Sequence, residues 1–380
     1  MKWKVSLADI DLGQDEINAV VKVLKSKWLT MGPITEKFEK EFAKHLGIRY
    51  AFAVSNCTAA LHIAHQVLGI TNRDEVICPA LTFVATANSI LYTGAKPVFA
   101  DIAGLDDLNI SPESILKKIT SKTKAITVVH YGGYPCNMGK IMQIAKKYRL
   151  YVIEDAAHAP GAEYDGKKIG TIGDFGCFSF FSNKNMTTGE GGMIVTNNAR
   201  LAKKIKVIRS HGMTTLTWDR YKGHSSTYDV IDLGYNYRID EIRSAMGLAQ
   251  LEKLDKNNER RKSLVQAYIK HLRGVPGTNI PFRDFVGKSS YHLFPILLKN
   301  SSCRKKLLDG LRKKGIQTSI HYPPIHLFKY YREKFGFKKG LLPKTEEVFN
   351  RELTLPLYPS LSSRDLIYIV NYIKDILIGK

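Results

Sequence analysis

The stretch "FSFFSNKNMTTGEGGM" (residues 178–193) places one lysine, Lys184, after an apolar run and before a loop with three glycines. The apolar run predicts a buried strand, so the lysine beside it is partly removed from water. Such a lysine loses its proton more readily and becomes a nucleophile toward carbonyl carbons. The alternative is an ordinary solvated lysine, and Lys184 taken alone favours that interpretation.

Two carboxylates, Glu154 and Asp155, end another apolar run within "YVIEDAAHAPGA" (151–162). A carboxylate at a buried strand end is costly without a partner, and a cationic ring nitrogen would serve as one. The alternative is a carboxylate that caps the next helix. His158 follows three residues later and could hydrogen-bond a ligand, although a lone histidine is more often structural.

A third motif is "AVSNCTAALH" (53–62), where a strand ends at Ser55 and a helix begins near Thr58. Backbone N–H groups at a helix N-terminus, together with these two hydroxyls, would bind a phosphate. Simple N-capping is the alternative. A Walker loop and a G-x-G-x-x-G motif are both absent from the sequence. Taken together, the three motifs provide the phosphate site, the carboxylate and the lysine that pyridoxal phosphate requires.

Short apolar runs alternate with helical patterns through the first two thirds of the chain and would position these motifs. The predicted helices are 58–69, 82–94 and 138–149, and the predicted strands are 50–55, 75–80, 96–102, 124–131, 150–156, 175–181 and 191–197. Continuous apolar strands separated by helices favour a mainly parallel sheet that is covered on both faces. Ligands bind such sheets beyond the carboxyl ends of the strands, which is where all three motifs fall.

The pattern changes after about residue 238, where a long amphipathic helical stretch begins. It leads into "YHLFPILL" (291–298), interpreted as a helix-like segment, and then into "QTSIHYPP" (317–324). We therefore predict a large cofactor-binding domain over residues 1–245 and a smaller C-terminal α+β domain over residues 246–380. The long helix would connect the two.

Composition excludes several classes of protein. The chain has 380 residues, is 44% hydrophobic and carries a net charge of +22, with its basic residues mostly spread out. Spread lysines are usually solvated, and no nucleic-acid-binding motif accompanies them, so we expect no specific nucleic acid partner. No long apolar segment and no signal-like N-terminus are present, and five cysteines lack metal spacing. These features predict a cytoplasmic protein without a metal site or a membrane span.

The chain resembles the DegT/DnrJ/EryC1/StrS family of sugar aminotransferases. Besides the three motifs above, the resemblance is carried by "WLTMGPITEKFEKEFA" (28–43), "PALTFVATANSILYTGAKPVFADI" (79–102), "GYNYRIDEIRSAMGLAQLEKLD" (234–255), "HYPPIH" (321–326) and "LTLPLYPSL" (353–361). It implies a fold-type I pyridoxal-phosphate enzyme whose large domain holds a mainly parallel seven-stranded α/β sheet. The implied reaction moves the amino group of L-glutamate, leaving 2-oxoglutarate, to a nucleotide-linked keto sugar.

The resemblance also implies roles for individual residues. Lys184 matches the lysine that holds the cofactor covalently, and Asp155 matches the carboxylate on its ring nitrogen. The other implied cofactor contacts are Phe83 stacking on the ring, His158 near the ring oxygen, and Thr58, Ala59 and Ser179 at the phosphate. Asn236 matches a residue that reaches the phosphate of the neighbouring subunit, so the family implies a homodimer with shared active sites. The implied substrate-side residues are Thr30, Glu190, Arg238 and His321, and a structural role is the alternative for Glu190 and Arg238.

Within "TTLTWDRYKGHSSTYD" (214–229), Arg220 and Lys222 alternate with aromatic residues and would fold over the nucleotide. The alternative is a surface loop that packs at the dimer interface.

A lysine rather than a histidine at position 184 favours transamination over the dehydration that some family members perform. The expected acceptor is a 4-keto-6-deoxy sugar, for use in surface polysaccharide, glycan or natural-product biosynthesis. A 3-keto sugar and a non-catalytic regulatory homologue are the alternatives.

One position departs from the family pattern. The phosphate turn usually reads Ser-Asn-Gly-Thr, but here Cys57 stands in place of the glycine. A side chain at this position would shift the turn slightly. We expect an inert, packed thiol, with a reactive thiol of lowered pKa at the helix N-terminus as the alternative.

Overall fold

The computed structural model describes residues 3–215, 223 and 227–378. The strands in this part of the chain are β1 (Tyr50–Val54), β2 (Glu75–Pro79), β3 (Lys96–Ala100), β4 (Thr123–Val129), β5 (Tyr151–Asp155), β6 (Glu163–Tyr164), β7 (Lys167–Lys168), β8 (Phe175–Ser179), β9 (Gly192–Thr196), β10 (Thr278–Asn279), β11 (Phe294–Leu298) and β12 (Glu352–Leu355). The helices are α1 (Gln14–Ser26), α2 (Pro33–Leu46), α3 (Cys57–Val67), α4 (Ala85–Leu91), α5 (Pro112–Lys118), α6 (Met138–Tyr148), α7 (Ala199–Ile208), α8 (Glu241–Leu272), α9 (Ser301–Lys313), α10 (Lys329–Phe335), α11 (Pro343–Arg351) and α12 (Ser363–Ile378).

The central sheet has seven strands in the order β1-β9-β8-β5-β4-β2-β3. All neighbours from β8 to β3 run parallel, and β9 alone runs antiparallel to both of its neighbours, β1 and β8. Each strand lies within one of the seven predicted runs apart from a one-residue extension of β4, and the mainly parallel α/β fold is confirmed. The apolar runs are continuous because both faces of the sheet are buried: one core packs against α2 and α6, the other against α3, α4 and α7.

The parallel order places the carboxyl ends of β8, β5 and β4 side by side. Asp155 ends β5 and Ser179 ends the adjacent strand β8. The turn before α3 is brought to the same edge by β9, whose Gly192 pairs with Val54 at the end of β1. The three sequence motifs therefore meet at one edge of the sheet.

The interpretation of residues 291–298 as helix-like is wrong. Within that range Phe294–Leu298 form the fully buried strand β11, which pairs with β10 and β12 in an antiparallel sheet of three strands. A short apolar run does not distinguish a buried strand from a buried helix by periodicity. Pro295 in the middle of the run was the available signal, because proline removes a helical hydrogen bond.

The long predicted helix is α8, which spans 32 residues and passes through the predicted boundary at residue 245 without a break. Leu254 on α8 packs in the core of the large sheet, whereas Leu264 and Tyr268 pack in the C-terminal core. Val5, close to the N-terminus, also packs in the C-terminal core. The division into residues 1–245 and 246–380 stays a prediction.

Among the helices within the described ranges, none is both long enough and apolar enough to cross a bilayer. All five cysteines are free thiols.

Candidate active site

A cavity of about 690 Å³ opens at the carboxyl edge of the large sheet. It gathers most of the residues that the sequence singles out. The predicted site residues that line it are Thr58, Phe83, Asp155, His158, Ser179, Lys184, Glu190 and His321.

Lys184 follows β8 in a turn, where its backbone N–H donates to the carbonyl oxygen of Phe181 at 2.9 Å. The side chain extends into the cavity, and its removal from water lowers its pKa to about 8. The negative charge of Asp155 acts in the opposite direction. A substantial fraction of the Lys184 amine is therefore neutral, and nucleophilic, at physiological pH.

Asp155 is buried at the end of β5, and its carboxylate faces the same cavity as Lys184. The Thr86 hydroxyl donates to Oδ2 at 2.8 Å, and the backbone N–H of Ala157 donates to Oδ1 at 3.2 Å. Burial nevertheless raises the pKa of this carboxyl, and the two hydrogen bonds and the charge of Lys184 only partly oppose the effect. Among the described residues no cation lies within 4 Å of Asp155. The site thus has a buried acid that a cationic ligand group would stabilise in its ionised form.

Glu154, the other carboxylate of the motif, lies on the opposite face of β5 because side chains alternate along a strand. It accepts hydrogen bonds from the backbone N–H groups of Gly170 at 2.9 Å and Gly173 at 2.6 Å. His130 lies 3.2 Å from Oε2. Glu154 therefore organises a loop, and only Asp155 is available to a ligand.

The N-terminus of α3 lines the cavity. Asn56 caps the helix, since its side chain accepts from the N–H of Ala59 at 2.8 Å and its carbonyl accepts from Ala60 at 3.2 Å. The N–H groups of Cys57 and Thr58 precede the first intrahelical bond and are left for an anion. The cap is present, and it leaves two N–H groups of the same helix end available, so capping does not exclude the predicted anion binding. The Ala59 N–H is already used by the cap, so the phosphate role of Ala59 stays a prediction.

Cys57 is buried, and burial raises the pKa of its thiol well above the ordinary value. The nearby carboxylate of Asp155 acts in the same direction. This supports the packed, inert thiol rather than the reactive one. The glycine that lets another strand approach this turn closely is Gly192 on β9, rather than a glycine at position 57. A Cβ added at Gly192 would lie 2.6 Å from the carbonyl carbon of Asn56.

His158 is buried beside the cavity. Burial first, and then the charge of Lys184, lower the pKa of its imidazole well below the usual value, so the ring is neutral. The Gly132 N–H lies 3.4 Å from Nδ1, and Nε2 lies 3.2 Å from the hydroxyl oxygen of Tyr322. A ring that accepts at Nδ1 carries its proton on Nε2 and donates toward Tyr322.

Phe83 is exposed on the cavity wall, with its ring centroid 6.2 Å from that of Tyr322. The ring of Tyr322 stacks on His158 at a centroid distance of 6.1 Å. An exposed phenylalanine in a cavity, rather than in a core, is available to stack on a planar ligand.

Several predicted residues do not line the cavity. Thr30 and Asn236 are exposed, and Arg238 is half-buried, with a backbone bridge to Val54 and a pKa lowered by burial. Arg220 and Lys222 lie outside the described residues. The roles of these five residues stay predictions.

Arg243 lines the cavity although the sequence reasoning did not select it. It lies in the first turn of α8, where its Nε donates to Asp240 Oδ2 at 2.7 Å. A cation is unfavourable at a helix N-terminus, because the macrodipole is positive there. That unfavourable charge was a signal in the sequence, and the structure shows that Arg243 lines the same cavity as Glu190.

The described side chains fit pyridoxal phosphate. Its ring nitrogen would be the missing cation for Asp155, its aldehyde would meet the neutral amine of Lys184, and its phosphate would meet the free N–H groups of α3. The described residues contain no cluster of three or more side chains arranged to bind a metal ion. The fold and the site define an aminotransferase of the pyridoxal-phosphate class.

Comparison with known proteins gives the particular family. The model of the DegT/DnrJ/EryC1/StrS aminotransferase family matches residues 10–374. The chain belongs to this family, and the resemblance stated from the motifs is confirmed. The prediction of a pyridoxal-phosphate-dependent sugar aminotransferase is confirmed at the level of that class.

Three similar proteins illustrate the match. The spore coat polysaccharide biosynthesis protein SpsC of Bacillus subtilis is 40% identical over 373 residues, which cover 97% of this chain and 96% of SpsC. Helicobacter pylori PseC, an aminotransferase of pseudoaminic acid biosynthesis, superposes with a TM-score of 0.93 at 32% identity over the whole of both chains. The putative sugar aminotransferase Spr1654 of Streptococcus pneumoniae, in its PMP form, has a TM-score of 0.93 at 29% identity and covers 98% of this chain and 99% of its own.

Proposed function

We propose that this enzyme transfers the amino group of L-glutamate to a nucleotide-diphosphate-linked keto sugar, with pyridoxal phosphate as cofactor. The proposed acceptor is a 4-keto-6-deoxy sugar, and the product is an amino sugar for a surface polysaccharide, another glycan or a natural product. The observation that carries the proposal is the meeting of Lys184, Asp155 and the α3 N-terminus in one cavity. The similarity to SpsC and PseC supports a sugar as the acceptor.

When bound, pyridoxal phosphate supplies an electron sink for the charge that develops as the amino acid loses its α-proton. Asp155 keeps that sink effective, because an ionised carboxylate favours a protonated ring nitrogen. Thr86 and the Ala157 N–H orient the Asp155 carboxylate through the two hydrogen bonds described above.

Lys184 Nζ is the group that holds and moves the proton. Its pKa of about 8 lets the amine act as a base in its neutral form and as an acid once protonated, both near neutral pH. The Cys57 and Thr58 N–H groups would bind the phosphate. The neutral imidazole of His158, aligned by the Gly132 N–H at Nδ1, would donate its Nε2 proton to the ring oxygen in place of Tyr322.

The acceptor would bind between Phe83, His321 and the first turn of α8. Arg243 would attract the anionic diphosphate, and the net charge of +22 supports the attraction at longer range. The exposed Glu190, which also lines the cavity, would bind sugar hydroxyl groups.

A second copy of the chain would complete the site. Val230, Ile231 and Leu233 are exposed beside the exposed Asn236. Contiguous apolar side chains on a surface favour an interface, and this one would carry Asn236 into the neighbouring subunit. Sedimentation of the purified protein would then give a dimer, and the Asn236→Ala variant would bind the cofactor more weakly without changing the mass of the particle in solution.

The test of the function is a pair of absorbance experiments. The protein with pyridoxal phosphate should show a cofactor band that moves to shorter wavelength when L-glutamate is added, and 2-oxoglutarate should appear. Addition of nucleotide-linked 4-keto-6-deoxy sugars, and of 3-keto sugars in parallel, should restore the first band with the true acceptor. In Lys184→Ala the cofactor should still bind, but turnover should be lost. Turnover in that variant at the wild-type rate would refute the assignment of Lys184.

A further inference from the structure

The wall of the cavity at His321 is supported by two residues of β12. His321 Nδ1 lies 2.8 Å from Thr354 Oγ1, and that hydroxyl oxygen lies 2.5 Å from Glu352 Oε1. The backbone N–H of His321 donates to the other carboxyl oxygen, Oε2, at 2.9 Å. An unbroken chain of hydrogen bonds therefore runs from an interior carboxyl group to an imidazole that lines the active site.

Glu352 is wholly buried. Within the described part of the chain, no side-chain nitrogen of lysine, arginine or histidine lies within 4 Å of its carboxyl oxygens. A buried carboxylate without a paired cation is costly, so the neutral acid is favoured. In agreement with this geometry, burial raises the pKa of Glu352 to about 8.

The charged and titratable groups that face Glu352 come from three sides. Arg304 on α9 favours the ionised acid, but its guanidinium is engaged by the carbonyl oxygen of Phe349, and its effect is smaller than that of burial. Tyr131 and Tyr322 are buried phenols whose pKa values are raised, so both are neutral. None of these groups supplies a direct ion pair.

His321 is also neutral at physiological pH. Burial, and then the charge of Lys184, lower the pKa of its imidazole to about 4. One ring nitrogen therefore carries a proton and the other does not. Among the described residues Nε2 has no hydrogen-bond partner, so the tautomer decides what His321 presents to a ligand.

The hydrogen-bond chain ties that tautomer to the protonation state of Glu352. While Glu352 is neutral and its Oε2 accepts from the His321 N–H, the acid proton lies on Oε1 and points to Thr354 Oγ1; this reverses the hydroxyl-to-carboxylate hydrogen bond that Thr354 donates when Glu352 is ionised. The Thr354 hydroxyl then donates its own proton to His321 Nδ1, and the imidazole proton is left on Nε2, toward the cavity. When Glu352 loses its proton, the Thr354 hydroxyl turns to Oε1, Nδ1 takes the imidazole proton and Nε2 becomes an acceptor. One proton leaves the chain in this change, from Nε2 to solvent.

We propose that Glu352 and Thr354 are positioning residues that hold His321 as a hydrogen-bond donor, so that this wall of the cavity selects an oxygen acceptor of the sugar substrate. The inference rests on the proposed function and deepens it. The carbonyl oxygen of the keto sugar is the acceptor that fits, since His321 lies close enough to Lys184 to feel its charge. Below the pH at which Glu352 ionises, His321 Nε2 carries a proton, so binding of a substrate hydroxyl group that must donate a hydrogen bond to Nε2 would be disfavoured.

Glu352→Gln is the decisive variant, because the carboxamide NH₂ donates to Thr354 as the neutral acid does and its oxygen still accepts from the His321 N–H. At pH 7 its kcat/KM for the keto sugar should lie within about threefold of wild type. Above about pH 8 the ratio of variant to wild-type kcat/KM should rise by about tenfold per pH unit, because only the wild type ionises. Other titrating groups, including Lys184, are common to both proteins and cancel in the ratio. Superimposed pH profiles would overturn the proposal.

Thr354→Val and Thr354→Ser form the matched pair. Valine breaks the hydrogen-bond chain at nearly constant shape, and KM for the keto sugar should rise about tenfold, whereas serine should stay within about threefold of wild type. Equal KM values for valine and serine would contradict the relay. If the thermal transition shows that Thr354→Val does not fold, the pH dependence of kcat/KM in Glu352→Gln still tests the proposal.

A readout without substrate separates this inference from the proposed function. In protein labelled with ¹⁵N-histidine, the His321 signals, assigned by their loss in His321→Asn, should report a proton on Nε2 at pH 7 in wild type and in Glu352→Gln. A proton on Nδ1 in wild type at pH 7 would refute the relay. If no keto sugar is aminated but the tautomer is as expected, the proposed function fails and the relay stands.

Discussion

Removal of one hydroxyl group, in Thr86→Val, tests how the cofactor site is built. The Thr86 hydroxyl donates to Asp155 Oδ2 at 2.8 Å, and both residues are buried. Valine keeps the shape of the side chain and leaves Asp155 with one hydrogen bond fewer. The pKa of Asp155, already raised by burial, should rise further. A carboxyl that is more often protonated holds a protonated ring nitrogen less well.

The expected loss of pyridoxal phosphate affinity follows from the strength of the hydrogen bond between Thr86 and Asp155. A hydrogen bond to a charged group contributes about 1.5–3 kcal/mol. Because 1.4 kcal/mol corresponds to a factor of ten, pyridoxal phosphate should bind about 10- to 150-fold more weakly to Thr86→Val. Thr86→Ser keeps the hydroxyl and should bind as wild type does.

The assay is a titration of the apoprotein with pyridoxal phosphate, followed by absorbance at several pH values. The thermal transition of the apoproteins controls for a folding defect, since Thr82, whose hydroxyl oxygen lies 3.1 Å from that of Thr86, also loses a partner. The loss of affinity should grow as the pH is lowered, because Asp155 in the variant takes up a proton at a higher pH than Asp155 in wild type. An affinity within about threefold of wild type at pH 7, with a normal thermal transition, would refute the role given to this pair.

Other predictions concern the lysine, the phosphate turn and the diphosphate. The rate at which added pyridoxal phosphate bonds to Lys184 should rise with pH through about 8 and then level off, because only the neutral amine reacts. A rate that does not change with pH in stopped-flow measurements would contradict the lowered pKa of Lys184. Gly192→Ala places a Cβ 2.6 Å from backbone and should weaken cofactor binding at least about tenfold, whereas Gly104→Ala, with nothing within 4 Å of the added Cβ, should not. Arg243→Gln should raise KM for the nucleotide sugar about tenfold and reduce its salt dependence, whereas the exposed control Arg200→Gln should leave both unchanged.

The seven strands of the large sheet could be predicted because burial on both faces requires continuous apolar runs, and such runs are visible in sequence. The motif residues at the strand ends were also visible, because polar groups directly after buried strands are conspicuous. The strand at Phe294–Leu298 was misread because a five-residue apolar run carries no period of its own. The family resemblance predicted roles for Lys184 and Asp155, which line the cavity, and for Arg238, which does not; it did not point to Arg243, which does.

Sequence by itself determined the class of this protein. A strand-end lysine, a strand-end carboxylate and a capped helix N-terminus form a local pattern, and each is set by a few neighbouring residues. Only the tertiary structure decided which side chains share the cavity, how far burial shifts the pKa values of Lys184 and Asp155, and which residues stand behind His321. The reason is that desolvation and hydrogen-bond chains depend on segments distant in sequence, as where Thr354 on β12 meets a histidine 33 residues earlier.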